Sequence, residues 1–572
     1  MHTTSIPRSI LLALAFLATG AAADPDAPSP AQRTLLPSES SGDSSAYLSG
    51  RFAASQLEFG RAGDYFLQAL AAAPLDQELV TQAFLACLDG GRPEAIELAK
   101  RLPGNQTAQL LLAGVEAKAG NWAAAERRFQ AIPPEGLNQV LQPLLLAWSQ
   151  QGAGQTDLAL ATLAPYVQGQ HLQSVYALHA ALIADLAGRN TEAAQFYQLA
   201  QAEPGTLNLR SAEMLASWEM RQGRADEALE IFRKLAATAD EMAIALPDLS
   251  AAASLPVISQ ATDGIAETYL ALAAALRQQD ASDSALLLIR LALNLKPNFT
   301  AARLLLAEIM EASKRPDAAL ATLAAVDPSD PLISIVRLRR AALTEALGKT
   351  DDAIRMLEQI AKDYPSSPLP YAQEGDLLRA KNRYGQAVTA YDRAIDRVSV
   401  PTRATWVLFY ARGVAYERSH QWSEAEADLK RALELSPDQP YVLNYLGYSW
   451  ADQGINLDQA RQMIQRAAEL RPNDGAITDS MGWVELREGH TEAAVSALER
   501  AAELMPEDPT INGHLGDAYW QAGRKREAEF QWRRALALNP EPEDAAKLEA
   551  KLHQSPSPDA MVPVKADGVM AQ

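Results

Sequence analysis

Residues 443–474 read LNYLGYSWADQGINLDQARQMIQRAAELRPND. The first half contains a glycine preceded by a large residue, Gly447, and an aromatic residue three positions later. The second half contains Ala460, the bulky Ile464 four residues later, a second alanine three residues after that, and finally Pro472. Small, bulky and proline residues at fixed offsets form a pattern specific enough to be searched for in the rest of the chain.

The same pattern occurs three more times near the C-terminus, except that Glu485 replaces the aromatic residue in one copy. Its glycines follow one another at intervals of 34, 35 and 34 residues, at Gly413, Gly447, Gly482 and Gly516. The bulky residue of the second half is a large apolar side chain in all four copies, namely Leu429, Ile464, Leu498 and Trp532. An interval this regular indicates stacked copies of one supersecondary unit, and not a set of unrelated globular domains.

Upstream, a small residue at the glycine position continues the series. It recurs at Gly375, Ala341, Ala307 and Ala273, and with a weaker surrounding pattern at Ala216, Ala181, Ala147, Ala113, Ala83 and Gly50. These positions predict about 14 units.

One interval breaks the series, because Ala216 and Ala273 are 57 residues apart. The extra residues, 238–262, contain two prolines and are predicted to form an irregular junction, packed as a helix or a loop. The junction would separate an N-terminal arm of repeats at 46–237 from a C-terminal arm at 263–553.

The pattern resembles the tetratricopeptide repeat family, whose unit of about 34 residues is a pair of antiparallel helices. The resemblance implies an all-α fold, a right-handed superhelical solenoid of about 14 helix-turn-helix repeats. Close packing accounts for the pattern, because the small residue lets the first helix approach the second and the bulky residue fills the space between them. Proline opens the next helix, where its missing N–H is not needed. One unit cannot bury its apolar face alone, so neighbouring units must stack.

Composition narrows the classes of partner. Lys and Arg number 51 and Asp and Glu number 71, which gives a net charge of −20. This charge repels nucleic acid and anionic bilayers, so we expect no nucleic-acid partner and only indirect association with membranes. The single cysteine, Cys87, excludes an intrachain disulfide and a thiolate zinc site.

The repeats leave no stretch large enough for a catalytic domain. We therefore expect no enzyme activity, no catalytic residue, no cofactor, no metal and no small-molecule substrate. The mature chain also contains no apolar stretch long enough to predict a transmembrane span.

Residues 1–23 have the layout of a secretory signal peptide, with Arg8, an apolar stretch at 10–18 and small residues before a predicted cleavage between Ala23 and Asp24. The apolar stretch is too short to span a bilayer, although an uncleaved N-terminal anchor remains the alternative. Residues 24–45 and 554–572 are poor in large apolar residues and are predicted to be a disordered leader and a disordered tail.

Members of the resembled family bind partners in a concave groove lined mainly by the first helix of each pair. Carried over residue by residue, the resemblance implies a groove rich in aromatic, acidic and amide side chains, which suit the capture of an extended peptide. These residues are Tyr410, Glu417, Arg418, Tyr441, Asn444, Tyr448, Asp452, Asp479, Trp483, Arg487, Asp517, Trp520 and Gln521.

Residues 443–474 also look like the envelope tetratricopeptide proteins of Gram-negative bacteria. That resemblance implies a periplasmic adaptor or scaffold that binds a protein or peptide partner, such as a protease or a cell-envelope assembly factor. The chain departs from the lipoprotein adaptors of that group because no cysteine follows its signal peptide. The alternative is a structural spacer of the envelope that associates with itself.

Overall fold

A computed structural model describes residues 44–169, 172–202 and 207–554. The predicted signal peptide with its cleavage at Ala23/Asp24, almost all of the predicted leader and all but the first residue of the predicted tail lie outside these residues. The described residues form thirty α-helices, a 3₁₀ turn at Arg403–Thr405 and no strand, in two compact units. Unit 1 ends at Leu369 and unit 2 begins at Pro370. The expected all-α class is confirmed.

Unit 1 contains nineteen helices. They are α1 (Ser44–Ser55), α2 (Phe59–Ala72), α3 (Gln77–Asp89), α4 (Glu94–Lys100), α5 (Gln106–Lys118), α6 (Trp122–Gln130), α7 (Asn138–Gly152), α8 (Thr156–Val167), α9 (Gln173–Leu186), α10 (Asn190–Ala200), α11 (Leu209–Arg221), α12 (Ala225–Ala236), α13 (Asp240–Ala252), α14 (Ala261–Gln278), α15 (Ser282–Leu295), α16 (Thr300–Ala312), α17 (Pro316–Ala324), α18 (Ile333–Ala346) and α19 (Thr350–Asp363).

Unit 2 contains the remaining eleven, the first of which begins one residue before the boundary. They are α20 (Leu369–Ala380), α21 (Tyr384–Ile395), α22 (Trp406–Arg418), α23 (Trp422–Leu435), α24 (Pro440–Gln453), α25 (Leu457–Leu470), α26 (Gly475–Arg487), α27 (Thr491–Leu504), α28 (Pro509–Gln521), α29 (Lys525–Ala537) and α30 (Pro542–Gln554).

Consecutive helices pair into fourteen hairpins, which leave only α13 and α30 without a partner of this kind in the described chain. The predicted packing of small against bulky residues is confirmed within the hairpins. A Cβ on Gly447 would lie 2.8 Å from Ile464, and one on Gly516 would lie 2.4 Å from Trp532. Carbon atoms in contact need about 3.5–4.0 Å, so a larger residue at the glycine position would push the two helices of a hairpin apart.

In unit 1 the first helices of the N-terminal hairpins pack on the chain's own later helices. Helix α14 contacts α5, α7 and α9, and α15 contacts α3 and α5. The approach is tightest at Gly264, where a Cβ would lie 2.1 Å from the indole of Trp148. The largest buried apolar cluster of the described chain consequently includes residues from Ala46 to Leu343.

The predicted junction at 238–262 contains helix α13, which packs on α12 and α18 within unit 1. Pro247 lies inside this helix. The boundary between the compact units lies after Leu369 and not in this segment, because α14 and α15 pack back on the N-terminal hairpins. The arms at 46–237 and 263–553 therefore describe the repeat pattern and not the compact units.

Unit 2 is a continuous series of hairpins that ends in α30, which packs on α29 and buries Leu548 to 5% exposure. Helix α30 covers the apolar surface that the last hairpin would otherwise leave open, as a terminal helix of a repeat array must. Among the described helices, none is both long enough and apolar enough to cross a bilayer.

Candidate functional site

Three successive first helices of unit 2 bring their aromatic side chains together. The indole of Trp483, from α26, stacks on the imidazole of His514, from α28, with ring centroids 4.0 Å apart and planes at 22°. The ring of Tyr448, from α24, lies 6.0 Å from the same imidazole. We call Tyr448, Asp479, Trp483 and His514 the inner cluster. Since each member comes from a different repeat or a different turn, only stacking of the repeats assembles it.

A carboxylate fixes the orientation of the central imidazole. The Nδ1 of His514 lies 3.0 and 2.9 Å from the two oxygens of Asp479, and both residues are buried. Burial alone would lower the pKa of His514, but Asp479, with Asp517 and Asp452 nearby, outweighs burial and raises it. The contact with Asp479 therefore favours the protonated form of the ring.

The environment of Tyr448 is acidic. Burial raises the pKa of its hydroxyl, and the carboxylates of Asp452, Asp479 and Asp544 raise it further. Asp452 lies one turn beyond Tyr448 in α24, whereas Asp544 comes from the first turn of α30. Helix α30 lies beside the first helix α28, since its Lys551 donates a hydrogen bond of 2.7 Å to Asp517.

A second aromatic contact lies beside the inner cluster, between α22 and α24. The rings of Tyr410 and Tyr445 meet edge to face at 5.8 Å, and the Tyr445 hydroxyl donates a hydrogen bond of 3.0 Å to Glu417. These side chains join adjacent first helices, so Tyr410 and Glu417 contribute to packing as well as to the surface.

Helix α30 is tied to α22 by an ion pair. The guanidinium of Arg418, at the end of α22, contacts the carboxylate of Glu541, immediately before α30, and also bonds the hydroxyl of Tyr384 at 3.2 Å. Three hairpins lie between the hairpin of α22 and α30, so this contact crosses the surface formed by α22, α24, α26 and α28. We call that surface the inner groove of unit 2.

Two of the expected groove residues mainly hold helices together. Asp517 accepts hydrogen bonds from the indole of Trp532 at 2.9 Å and from Lys551 at 2.7 Å. Trp520 packs on the ring of Trp532 with centroids 5.3 Å apart, and the Lys525 ammonium lies 4.4 Å from the centroid of Trp520. Both residues connect α28 to α29 or α30.

The other expected residues differ in exposure. Tyr441 is 44% exposed, and the guanidinium of Arg471 lies over its ring. Three further residues of the expected groove are also exposed, namely Asp452, Arg487 and Gln521. Asn444 is half-buried, and its Oδ1 accepts no hydrogen bond from the described residues. The buried Nε1 of Trp483 likewise donates none within the described chain.

Sequence reasoning missed three residues of this surface. His514 and Tyr445 both lie two positions before the repeat glycine, and from there each reaches the preceding first helix. That shared position is the signal that could have found them. Asp544 belongs to α30, outside the repeats used for the carry-over, and no repeat position marks it.

One group of possible metal ligands lies elsewhere in unit 2. Ligand atoms of Glu485, Glu488 and His490, at the end of α26, all lie within 4.8 Å of one another. The guanidinium of Arg461 already contacts both carboxylates, at 3.3 Å for Glu488. Because Arg461 already pairs with both carboxylates, the cluster is explained as an ion-pair network.

Family models agree with the helical pattern. Three models described as tetratricopeptide repeat match residues 338–398, 406–439 and 485–552. The chain contains tetratricopeptide (TPR) repeats. None of these models describes a catalytic family, and the TPR fold is in general a scaffold for interactions between proteins.

Relatives of this TPR protein match over short parts of their length. A TPR repeat-containing protein of Pseudomonas aeruginosa is 28% identical over 190 residues, which are 33% of this chain and 31% of the relative. The aspartyl/asparaginyl beta-hydroxylase of Mus musculus is 26% identical over 144 residues, 24% of this chain and 19% of the relative. The chain thus covers less than a third of either protein.

Solved structures of helical proteins align with parts of the chain as well. A tetratricopeptide repeat protein from Parabacteroides merdae aligns at 14% identity over 44% of this chain and 97% of its own, with a TM-score of 0.38. The APC/C hetero-tetramer Cut9-Hcn1 aligns at 17% identity over 89% of this chain and 96% of its own, with a TM-score of 0.37.

Proposed function

We propose that this TPR protein is an exported adaptor that binds an extended segment of a partner protein in the inner groove of unit 2. The observation that carries the proposal is the inner cluster, in which Tyr448, Trp483 and His514 from three repeats form one aromatic surface. Aromatic side chains supply large contact areas at low entropic cost and dominate the binding energy of many interfaces.

The two units differ in what their first helices contact. In unit 1, α14 and α15 lie against the first helices of the N-terminal hairpins, so a large part of that surface is buried by the chain itself. In unit 2, by contrast, Tyr441 and Asp452 on α24 are exposed. These features favour unit 2 as the surface that receives a partner.

Export to a bacterial periplasm is part of the proposal. It is supported by the charged, apolar and small-residue segments of residues 1–23 and by the similarity of residues 443–474 to Gram-negative envelope proteins. A protease or an envelope assembly factor is the class of partner that this location suggests.

The test compares three forms of the protein as bait in a periplasmic extract. The bait is the form recovered from the periplasm, which we expect to begin at Asp24. The double variant Tyr448→Ala with Trp483→Ala should lose the proteins that the unmodified chain retains, with unchanged helical circular dichroism. The control is Phe530→Ala, which truncates an aromatic side chain that is 63% exposed on α29.

If the double variant still retains the same partner proteins, those proteins do not bind in the inner groove. Loss of retention in the Phe530→Ala control as well would show that any missing aromatic ring has the same effect. Either result would contradict binding at the inner cluster.

A further inference from the structure

Unit 1 contains a cavity beside the junction helix α13. Its volume is about 210 Å³. Helix α13 and the segment that follows it form one wall, and Leu249, Ala252 and Leu255 are among the residues of this wall. The other walls come from α11, from α12 and from the turns that precede α16 and α18. The segment that interrupts the repeat pattern therefore completes this cavity.

The floor of the cavity is apolar, and its rim includes an exposed leucine. Phe232, Leu249 and Leu332 line the cavity and are only 2–3% exposed. At the rim, Leu255 is 68% exposed, and its carbonyl accepts a hydrogen bond of 2.6 Å from the hydroxyl of Ser217 on α11. A large apolar residue exposed next to an apolar floor favours the burial of a further apolar group between them.

Two cations lie beside one ring of the cavity wall, and they differ in how they are paired. Arg210 and Lys296 each lie 5.2 Å from the centroid of Phe299. Arg210 forms ion pairs with one carboxylate of α11 and one of α14. The ammonium of Lys296 donates no hydrogen bond to the described residues, and its contact with Asp263 is 3.9 Å long. Lys296, whose side chain is 30% exposed, therefore keeps its donors for an acceptor from outside the described chain.

The volume of the cavity favours one side chain as its occupant. Pockets for drug-sized molecules measure about 300–1,000 Å³, whereas an apolar cavity of about 150 Å³ holds one benzene molecule. A cavity of about 210 Å³ therefore suits the side chain of leucine, methionine or phenylalanine. An acidic side chain is disfavoured, because the carboxylates of Glu213 and Asp330 line the same cavity.

We propose that the cavity beside α13 receives one large apolar side chain of an extended partner segment, and that a backbone carbonyl next to this side chain accepts a hydrogen bond from Lys296. This site shares no residue with the inner groove and goes beyond the proposed function. An extended segment fits because no helical hydrogen bond occupies its carbonyls. An apolar side chain buried in a pocket is a common source of affinity at protein interfaces.

The experiment measures which side chain the cavity accepts. The unmodified chain and the Tyr448→Ala, Trp483→Ala chain, both fluorescently labelled, are applied to an array of acetylated and amidated heptapeptides. The central residue is scanned through all types, between glycine and serine residues. On both chains we expect leucine, methionine or phenylalanine at the centre to bind about tenfold better than alanine, a ratio that corresponds to about 1.4 kcal/mol. Glutamate at the centre should bind no better than alanine.

Matched pairs of variants assign this preference to the cavity. Ala252→Leu enlarges a residue that lines the cavity and should abolish the preference, whereas Ala251→Leu makes the same change at the adjacent exposed position and should leave it intact. Lys296→Met keeps an unbranched stem without the donor and should weaken the leucine peptide several-fold, while Lys234→Met, at an exposed position of α12, should not. Unchanged helical circular dichroism shows that each variant is folded.

Several results would overturn the proposal. One is the absence of bound peptides with a large apolar centre, and another is a preference that Ala252→Leu does not change. Displacement of the leucine peptide by an equal concentration of isocaproate, a free acid with the same branched end, would show that the cavity takes a small molecule. A mass in light scattering that rises with concentration, and does not rise in Ala252→Leu, would show that a second copy of the chain fills the cavity.

Discussion

The contact between His514 and Asp479 shows how one residue can carry two roles. The imidazole is the face on which Trp483 stacks, and it also contacts a buried carboxylate, that of Asp479. A carboxylate buried without a partner would be strongly unfavourable, so the aromatic surface and the partner of this carboxylate depend on the same residue.

This pair predicts a pH dependence of stability. The pKa of His514 in the folded chain is above its ordinary value near 6.5. The pair therefore contributes its full stability below the pKa that His514 has in the unfolded chain. This stability is lost as the pH rises through the pKa of His514 in the folded chain. We expect Asp479→Asn to destabilise unit 2 by roughly 2–4 kcal/mol at pH 5.5 and by less at pH 8.5. Urea denaturation of the unmodified chain and of Asp479→Asn, each at both pH values, measures the loss in free energy of unfolding. An equal loss at both would show that His514 is not protonated.

At the residue level the sequence predicted part of the site. It placed Tyr448, Asp479 and Trp483 on one surface, because repeat offsets fix which face of a helix a residue occupies. It missed His514, since contact between adjacent first helices depends on how closely the hairpins stack. It also marked Trp520 as a groove residue, whereas the ring of Trp532 holds it in the packing between helices.

At the level of elements, α30 is held to unit 2 by two kinds of contact. Its apolar side buries Leu548 beside Gly513, and its N-terminal end is joined to α22 by the ion pair of Glu541 with Arg418. The two ionic side chains are 58% and 38% exposed, so water screens their attraction.

Burial of Leu548 should therefore stabilise unit 2 more than the ion pair of Glu541 with Arg418 does. We expect Leu548→Ala to destabilise unit 2 by about 2–4 kcal/mol, and Glu541→Gln to change its stability by less than about 1 kcal/mol. Thermal unfolding followed by circular dichroism compares the two. A larger effect of Glu541→Gln would mean that the ion pair, and not burial, holds α30 in place.

The elements themselves were mostly predictable. Each hairpin has its own small residue and bulky residue, and these local signals predict about 14 units, the number of hairpins observed. Helix α13 was harder to foresee, because it lacks the repeat pattern and contains Pro247. Its contacts with α12 and α18 are tertiary, and sequence periodicity does not report them.

For the whole molecule, the unexpected feature is the packing of α14 and α15 on the N-terminal hairpins. A repeat array is expected to contact only its neighbours along the chain, which would make stability a sum of local terms. Unit 1 departs from this, since contacts such as Lys118 to the carbonyl of Asn294, at 2.7 Å, join distant repeats. Unit 1 should consequently unfold more cooperatively than an open array of the same length.

Two compact units predict two calorimetric transitions, each sensitive to changes in one unit. Gly264→Val introduces side-chain atoms where even a Cβ would lie 2.1 Å from Trp148, and overpacking of this kind destabilises by roughly 1–3 kcal/mol. We expect it to lower the transition of unit 1 by several degrees and to leave that of unit 2 in place, while Leu548→Ala does the reverse. Gly60→Ala is the control, because no heavy atom lies within 4 Å of its added Cβ. A single transition, lowered equally by Gly264→Val and Leu548→Ala, would show that the two units unfold as one.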